Sequence, residues 1–310
     1  MDKQVKENLG YHYTSVEVLM AMLDNYKNDT FKFHASSVFS LNDPTELKYG
    51  YEKIIELLPQ IEEELSIKDE KYKLSYFWKS DTMHTPDRWH QLHLDLMENT
   101  FQHPFILSYS RNRDILPMWS MYGKNGTGVA LGLDLRIYFC KRQSKNGKNI
   151  YDMTHLDLDK PHTIDVTYGR VPCLSTPYGI VKMFYDLYWK DVQNVTKNHK
   201  LAESQLNTIT QIMKVAAPFV KHQAYEFEKE SRLIQFHNNI NDIKTKFNSL
   251  GKLIPYIEVD LPKEYLKDII IGPCCDSNMV RKCIELKMLQ KGINLQNIEI
   301  TNSAVPYRNF

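Results

Sequence analysis

The sequence is poor in the features that mark several protein classes. Its five cysteines, Cys140, Cys173, Cys274, Cys275 and Cys283, are odd in number and lack paired C-x-x-C spacing. Neither a disulfide framework nor a cysteine-rich metal cluster is expected from them. Only 12 glycines and 13 prolines occur in 310 residues, which excludes a collagenous or linker-dominated chain. No apolar run approaches the ~18 to 20 residues that cross a bilayer. The first ten residues, MDKQVKENLG, are polar rather than basic-then-apolar as an export signal would be. The expectation is a soluble, cytosolic protein without a membrane partner. No internal repeat, low-complexity segment or Pro/Gly/Ser linker divides the chain, so a single domain over residues 1–310 is predicted. The G-x-S-x-G elbow of α/β-hydrolases is absent as well.

What the chain does contain is apolar and aromatic. Hydrophobic residues make up 42% and aromatics 12%, with 19 tyrosines, enough for a sizeable core and for a site that stacks flat ligands. Charge is unevenly spread. Residues 1–100 carry 18 acidic and 11 basic side chains, net −7, and residues 101–310 carry 28 basic and 20 acidic, net +8. The basic larger part suits a polyanion such as nucleic acid or a dinucleotide; scattered solvated charge is the alternative.

Periodicity gives an α+β pattern. Thr14-Ser15-Val16-Glu17 reads as a capping box ahead of a helix with Val18, Leu19, Met22 and Leu23 at helical spacing, which leaves His12 on the extended segment before it. Phe31, Phe33 and Ala35 alternate as in a strand. LNDPTEL then offers Asp43 as N-cap, Pro44 at the first helical position and Glu46 closing a second box. Helices are expected as insertions at about 45–101 and 179–229. Strands are expected at 104–110, 128–135, 162–169 and in SRLIQFHN, IPYIEVDLP, LKDIIIGP and NIEIT, with a short helical DILPMWSMYG, a helix across 276–291 and a polar loop at 142–160. Roughly eight strands mix with helices without regular βα alternation, so an α+β fold is predicted.

Several motifs carry possible chemistry. The loop Gly123-Lys124-Asn125-Gly126-Thr127-Gly128 is glycine-dense, but it lacks the context of a phosphate-binding loop and reads better as a tight turn. His90 and His93 sit three apart, a metal-binding spacing without a third ligand nearby. Cys274 and Cys275 precede a helix start, where a thiolate would be stabilised, although buried turn residues explain them equally. Glu228 and Glu230 form an E-x-E pair entering a strand. In an extended chain both would point to one face and repel, which sheets avoid; a solvated helix end with Arg232 as counterion is the other reading.

The ordered series YHYTS, LNDPTEL, LSYS, LPMWSMYGKNGTGVALGLD, FEKESRLI, DIIIGP and VPYR, running from residue 11 to 308, resembles the bacterial domain of unknown function 2971 family. That family is distantly similar to ADP-ribosyltransferases of the histidine–tyrosine–glutamate type. The resemblance implies an ADP-ribosyltransferase-like mixed β-sheet core and an enzyme that binds NAD, breaks the nicotinamide–ribose bond without a metal, and transfers ADP-ribose to a macromolecule or water. It implies a toxin or anti-phage setting. By resemblance His12 and Tyr13 lie at the NAD site, Tyr109, Tyr122 or Trp119 stacks on nicotinamide, and Ser108 and Ser110 support the site. Glu230 is the implied catalytic carboxylate and Glu228 orients the acceptor, either being the essential one. Asn42, Asp43 and Arg308 also match the family's pattern. A non-catalytic nucleotide- or partner-binding module on the same fold is the alternative, and a metal-dependent nuclease built on His90 and His93 is a third.

Overall fold

A computed structural model describes residues 9–40, 45–79, 103–134, 142–145, 148–151, 162–173, 175–194, 201–237, 240–247 and 251–307. Among these, the helices are α1 Val16–Asp24, α2 Thr45–Ile55, α3 Leu58–Glu64, α4 Leu74–Lys79, α5 Leu116–Met121, α6 Thr176–Asn194, α7 Leu201–Ala216 and α8 Ser277–Gln290. The strands are β1 Leu9–Thr14, β2 Thr30–Ser37, β3 His103–Ser110, β4 Val129–Asp134, β5 Arg142–Lys145, β6 Lys148–Tyr151 and β7 His162–Asp165. They continue with β8 Thr167–Tyr168, β9 Val220–Lys221, β10 Glu230–His237, β11 Lys244–Phe247, β12 Leu253–Pro262, β13 Leu266–Ile271 and β14 Glu299–Asn302.

Ten strands form one mixed sheet, ordered β11-β12-β2-β3-β1-β4-β13-β14, with β10 on β3 and β7 on β10. The fold is α+β with a mixed sheet, as the interspersed helix and strand patterns predicted. Strand periodicity explains the layers. In β2, Phe31, Phe33 and Ala35 are buried while their alternates are not, and in β3 Phe105, Leu107 and Tyr109 face one core while Ile106 faces another. Helices α1 and α8 cover the first core, and α2, α3, α4, α6 and α7 pack over the second. A smaller core joins Tyr11 and Tyr13 of β1 to Met118 and Trp119 of α5.

The sheet forks at β3. One edge of β3 is occupied along its whole length by β10, from His103↔His237 to Ser110↔Glu230. The opposite edge is shared: β2 pairs at Phe105 and Ile106, and β1 pairs at Ser110. Leu107, Ser108 and Tyr109 lie between these two pairings, where β1 and β2 diverge. Side chains from both faces therefore reach a single opening.

Several local expectations need correction. The first helix is capped by Ser15, whose Oγ accepts from Val18 N at 3.2 Å, and not by Thr14, because Thr14 is still paired in β1 with Val129. The stretch 142–160, expected to be loop, contains the β5/β6 hairpin. Polar β11 was not expected as a strand; it is held at the sheet edge by pairing with β12. The strand expected at 162–169 is split into β7 and β8, and β8 pairs in parallel with β9.

Candidate functional site

A cavity of about 1000 Å³ occupies the fork. Its walls include His12 and Tyr13 of β1, Ser108, Tyr109 and Ser110 of β3, Tyr122 after α5, and Glu228 and Glu230 at the start of β10. Eight of the nine residues expected at the site thus border one space, although more than two hundred positions separate His12 from Glu230. Trp119 is the exception: it is fully buried beneath Tyr13 with ring centroids 4.9 Å apart, and its Nε1–H donates to Asp114 Oδ1 at 2.6 Å. Its indole belongs to the core and has no free face for a ligand. Tyr13 is also pinned, donating its hydroxyl to the Arg113 carbonyl at 2.9 Å.

His12 holds the fork together. Its Nδ1 lies 3.0 Å from the Ser108 carbonyl oxygen, and its ring meets Phe33 and Tyr109 edge-on at 5.9 and 6.4 Å. A carbonyl only accepts, so Nδ1 carries the proton in that contact and Nε2 is the acceptor of the neutral ring. Burial depresses the imidazole pKa below its ordinary 6.5 despite the bond to Ser108, and the Lys246 charge pushes the same way. The neutral form is thereby favoured.

The deepest part of the site is a buried cluster of five charges. Glu46, Lys221, Glu228, Glu230 and Arg232 are all at most 7% exposed and sum formally to −1. Arg232 grips Glu230 bidentately, Nε to Oε1 at 2.7 Å and Nη2 to Oε2 at 2.9 Å, and donates through Nη2 to Glu46 Oε1 at 2.5 Å. Its Nη1 donates to the Pro218 carbonyl. Lys221 Nζ reaches Glu228 Oε2 at 2.6 Å, Glu230 Oε2 at 3.2 Å and Glu46 Oε2 at 3.6 Å. Burial alone would raise the Glu230 pKa, but Arg232 and Lys221 override it and hold the carboxyl at about 2. The Glu230 and Glu46 charges in turn keep both cations protonated against desolvation.

Local geometry brings these groups together. Glu228 ends a six-residue 3-10 segment, Lys229 adopts a left-handed conformation at φ 42°, ψ 54°, and Glu230 begins β10. The E-x-E pair is therefore neither a regular strand nor a solvated helix end: both carboxylates turn inward onto Lys221. Helix α2 supplies Glu46, and Gly50 lets it approach residue 217, since a Cβ there would lie 2.5 Å from the Ala217 carbonyl oxygen. Glu46 was expected to close a capping box with Asp43, but its carboxylate is taken by Arg232 and Lys221.

The two central carboxylates differ in spare capacity. Glu230 receives three bonds from Arg232 and Lys221, and the Ser108 hydroxyl further favours its charged form, which leaves little of the roughly four-position acceptor capacity of a carboxylate. Glu228 receives one bond per oxygen, from Tyr122 Oη at 2.8 Å and from Lys221. Among the described residues, Glu228 has the more acceptor capacity left for a ligand. Burial and the Glu228 charge raise the Tyr122 pKa, so this phenol stays a donor. Ser110 is committed to structure, its Oγ donating to the Glu228 carbonyl at 2.6 Å and accepting from Asn112 N at 3.0 Å.

The other motifs fall elsewhere. In the glycine-dense loop, the N–H groups of Gly126, Thr127 and Gly128 all donate to carbonyls of residues 119–124, so they are not turned out to cradle phosphate. A Cβ at Gly128 would lie 2.2 Å from the Thr14 carbonyl oxygen, which explains the glycine as close packing at the end of β1. Cys275 donates to the Gly128 carbonyl at 3.5 Å, and burial raises its pKa; it is a structural thiol. Asn42, Asp43, Pro44, His90, His93, Cys140 and Arg308 lie outside the described residues. Among the described residues no group of three or more His, Cys, Asp and Glu side chains is placed to hold a metal ion, and no helix is long and apolar enough to cross a membrane.

Sequence reasoning missed Lys221 and Glu46, and it treated Arg232 only as a surface counterion. The available signal was electrostatic. If Glu228 and Glu230 are both buried, cations must be buried with them, and Arg232 two positions along the same strand is the nearest. Nothing local marks Lys221, which arrives through the short parallel pairing of β9 with β8.

No curated protein and no solved structure matches the chain significantly. Residues 118–233, which run from α5 into β10 and include Tyr122, Lys221, Glu228, Glu230 and Arg232, match the model of the family described as protein of unknown function DUF2971.

Proposed function

We propose that the fork cavity binds NAD and breaks its nicotinamide–ribose bond, passing ADP-ribose to a macromolecule or to water. The observation that carries this reading is the polarity of the cavity. Its inner end holds a buried cluster of net −1 beside aromatic and hydroxyl groups, and its outer end carries lysines. NAD has a matching polarity, with a cationic nicotinamide ring at one end and anionic phosphates further along. When the bond breaks, its electron pair leaves with nicotinamide, which becomes neutral, and positive charge develops on the ribose. Fixed negative charge beside that carbon lowers the barrier. The attacking nucleophile then gives up a proton as its bond to the ribose forms.

Within this reading the spare acceptor capacity assigns Glu228 to the ribose hydroxyl next to the bond that breaks. Glu230 and Tyr122 then act as positioning residues. His12 accepts through Nε2 from a ribose hydroxyl or the carboxamide while Nδ1–H remains on Ser108. The expected setting is a bacterial toxin or anti-phage effector.

One observation favours a second reading, a nucleotide-binding module without turnover. Lys221 and Arg232 already occupy much of the carboxylates' capacity, a state that suits holding a ligand as well as transforming it. Incubation with NAD separates the two. The first reading expects nicotinamide release that falls at least about 100-fold in Glu228→Gln, with the unfolding transition retained. Thermal stabilisation by NAD without release establishes the binding module, and release unchanged in Glu228→Gln removes the proposed mechanism.

A further inference from the structure

The cavity has a second charged wall, on β2, β11 and β12, that the carboxylate cluster does not explain. Lys32 and Lys244 share one counterion, Glu258, at 2.6 and 2.7 Å. Lys32 also lies 3.9 Å from Asp260, whose side chain is 58% exposed. Lys246, two residues beyond Lys244 on the same strand, has no carboxylate within 4.0 Å among the described residues. Its Nζ sits 5.1 Å from the centroid of the Tyr256 ring, and His34 stacks on that ring at 4.2 Å with the planes 32° apart. Lys32, His34, Lys246 and Glu258 all line the cavity. The three lysines and two acids of this wall sum formally to +1.

Lys246 is also half-buried, and desolvation lowers its pKa. A partly desolvated ammonium gains most from an anion brought to it by a ligand. Its charge contributes to depressing both imidazoles, His12 and His34, and all three side chains border the same cavity. Neighbouring Lys244 and Lys32 cannot substitute for it, because Glu258 already holds them.

We propose that Lys246, flanked by His34 and Tyr256, is the phosphate-binding subsite of the cavity and takes the phosphates of a nucleotide whose far end reaches the Glu228 cluster. The inference deepens the nucleotide reading above and rests on it for the ligand's orientation. Lys246 supplies a point charge, and beside it the His34 ring borders the cavity, backed by the Tyr256 ring.

Titration calorimetry of the full chain with ADP tests this directly. Lys246→Gln is expected to weaken ADP binding at least about tenfold, and Lys246→Arg to keep it within about threefold. Lys246 lies on an edge strand away from the cores, so unfolding midpoints are expected to be unchanged, and the arginine variant controls for local disturbance. Absence of ADP binding to the wild-type chain at millimolar ligand, or Lys246→Gln binding ADP within twofold of wild type, overturns the subsite. Lys246-dependent ADP binding without nicotinamide release from NAD supports the subsite and removes the NAD-cleaving reading instead.

Discussion

The cavity has two ionic walls, both containing Lys–Glu pairs and governed by different physics. At the inner wall, Glu46, Lys221, Glu228, Glu230 and Arg232 are at most 7% exposed. At the outer wall, Lys32 and Glu258 are each 26% exposed through their side chains and Lys244 is 52% exposed. Distances do not distinguish them: Lys221 to Glu228 is 2.6 Å and Lys32 to Glu258 is also 2.6 Å. Solvent does. Buried ions are desolvated whether or not they are paired, so removing one partner leaves the other with its full penalty. Exposed pairs gain little and lose little. The inner wall is a rigid fixture of the fold, and the outer wall is adjustable and screened by salt.

The largest expected effect breaks the inner wall. Glu230→Gln should lower unfolding free energy by about 3 to 5 kcal/mol, because Arg232 loses its bidentate partner in a buried setting; urea titration followed by circular dichroism measures this. The pH dependence follows from the sign of the shift. The Glu230 carboxyl is held at about 2 against an ordinary 4.5, so its contribution is complete above pH 4.5 and is lost as pH falls towards 2. Glu230→Gln should flatten the stability curve across that window. An unchanged curve would mean that the Arg232 pair does not act as its geometry indicates.

Tyr122→Phe removes a hydrogen bond to a buried carboxylate without removing a charge, and about 1.5 kcal/mol is expected. A double-mutant cycle with Glu228→Gln measures how much of that loss belongs to the pair. A smaller effect is expected at the fork. His12 is depressed from its ordinary 6.5, so its neutral form stabilises the protein above pH 6.5 and that stability declines as pH falls below it. Stability measured against pH should lose this component in His12→Gln, which can still donate to the Ser108 carbonyl.

The smallest stability effect belongs to the outer wall. Hydrogen bonds from Lys244 and Lys32 hold the Glu258 carboxyl at about 2, yet Glu258→Gln should cost less than about 1 kcal/mol because water screens the charges it leaves. The same change should strengthen ADP binding at low salt by freeing two lysines, and added salt should erase the gain. A stability loss as large as that of Glu230→Gln would erase the distinction between the walls.

Much of the fold was legible because it depends on local periodicity. The alternation of Phe31, Phe33 and Ala35, the apolar run of β4 and the helical stretch of α8 each announce themselves within a few residues. The fork was not legible, because it depends on where β1 and β2 stop on the edge of β3, a matter of register between segments about seventy to a hundred residues apart. β11 escaped because Lys244-Thr245-Lys246-Phe247 has a polar surface that only an edge position tolerates. Most of the cavity-lining residues discussed above were named from the resemblance. What was missed is the partner half of each interaction: the carboxylates are local in sequence, whereas Lys221 and Glu46 reach them only through the packing of β9 and α2.

Lys229 gives the E-x-E pair a different meaning. In a regular strand, alternate side chains would share a face some 7 Å apart, too far for one ammonium to bridge comfortably. The left-handed turn at Lys229 shortens that path, and a single lysine serves both carboxylates. The middle position thus contributes a backbone torsion to the pair. Glycine or asparagine could stand there and preserve the pair, while valine or isoleucine would leave both glutamates in the sequence and still take the site apart. Three consecutive residues build this corner of the cavity, and the middle one acts through its φ.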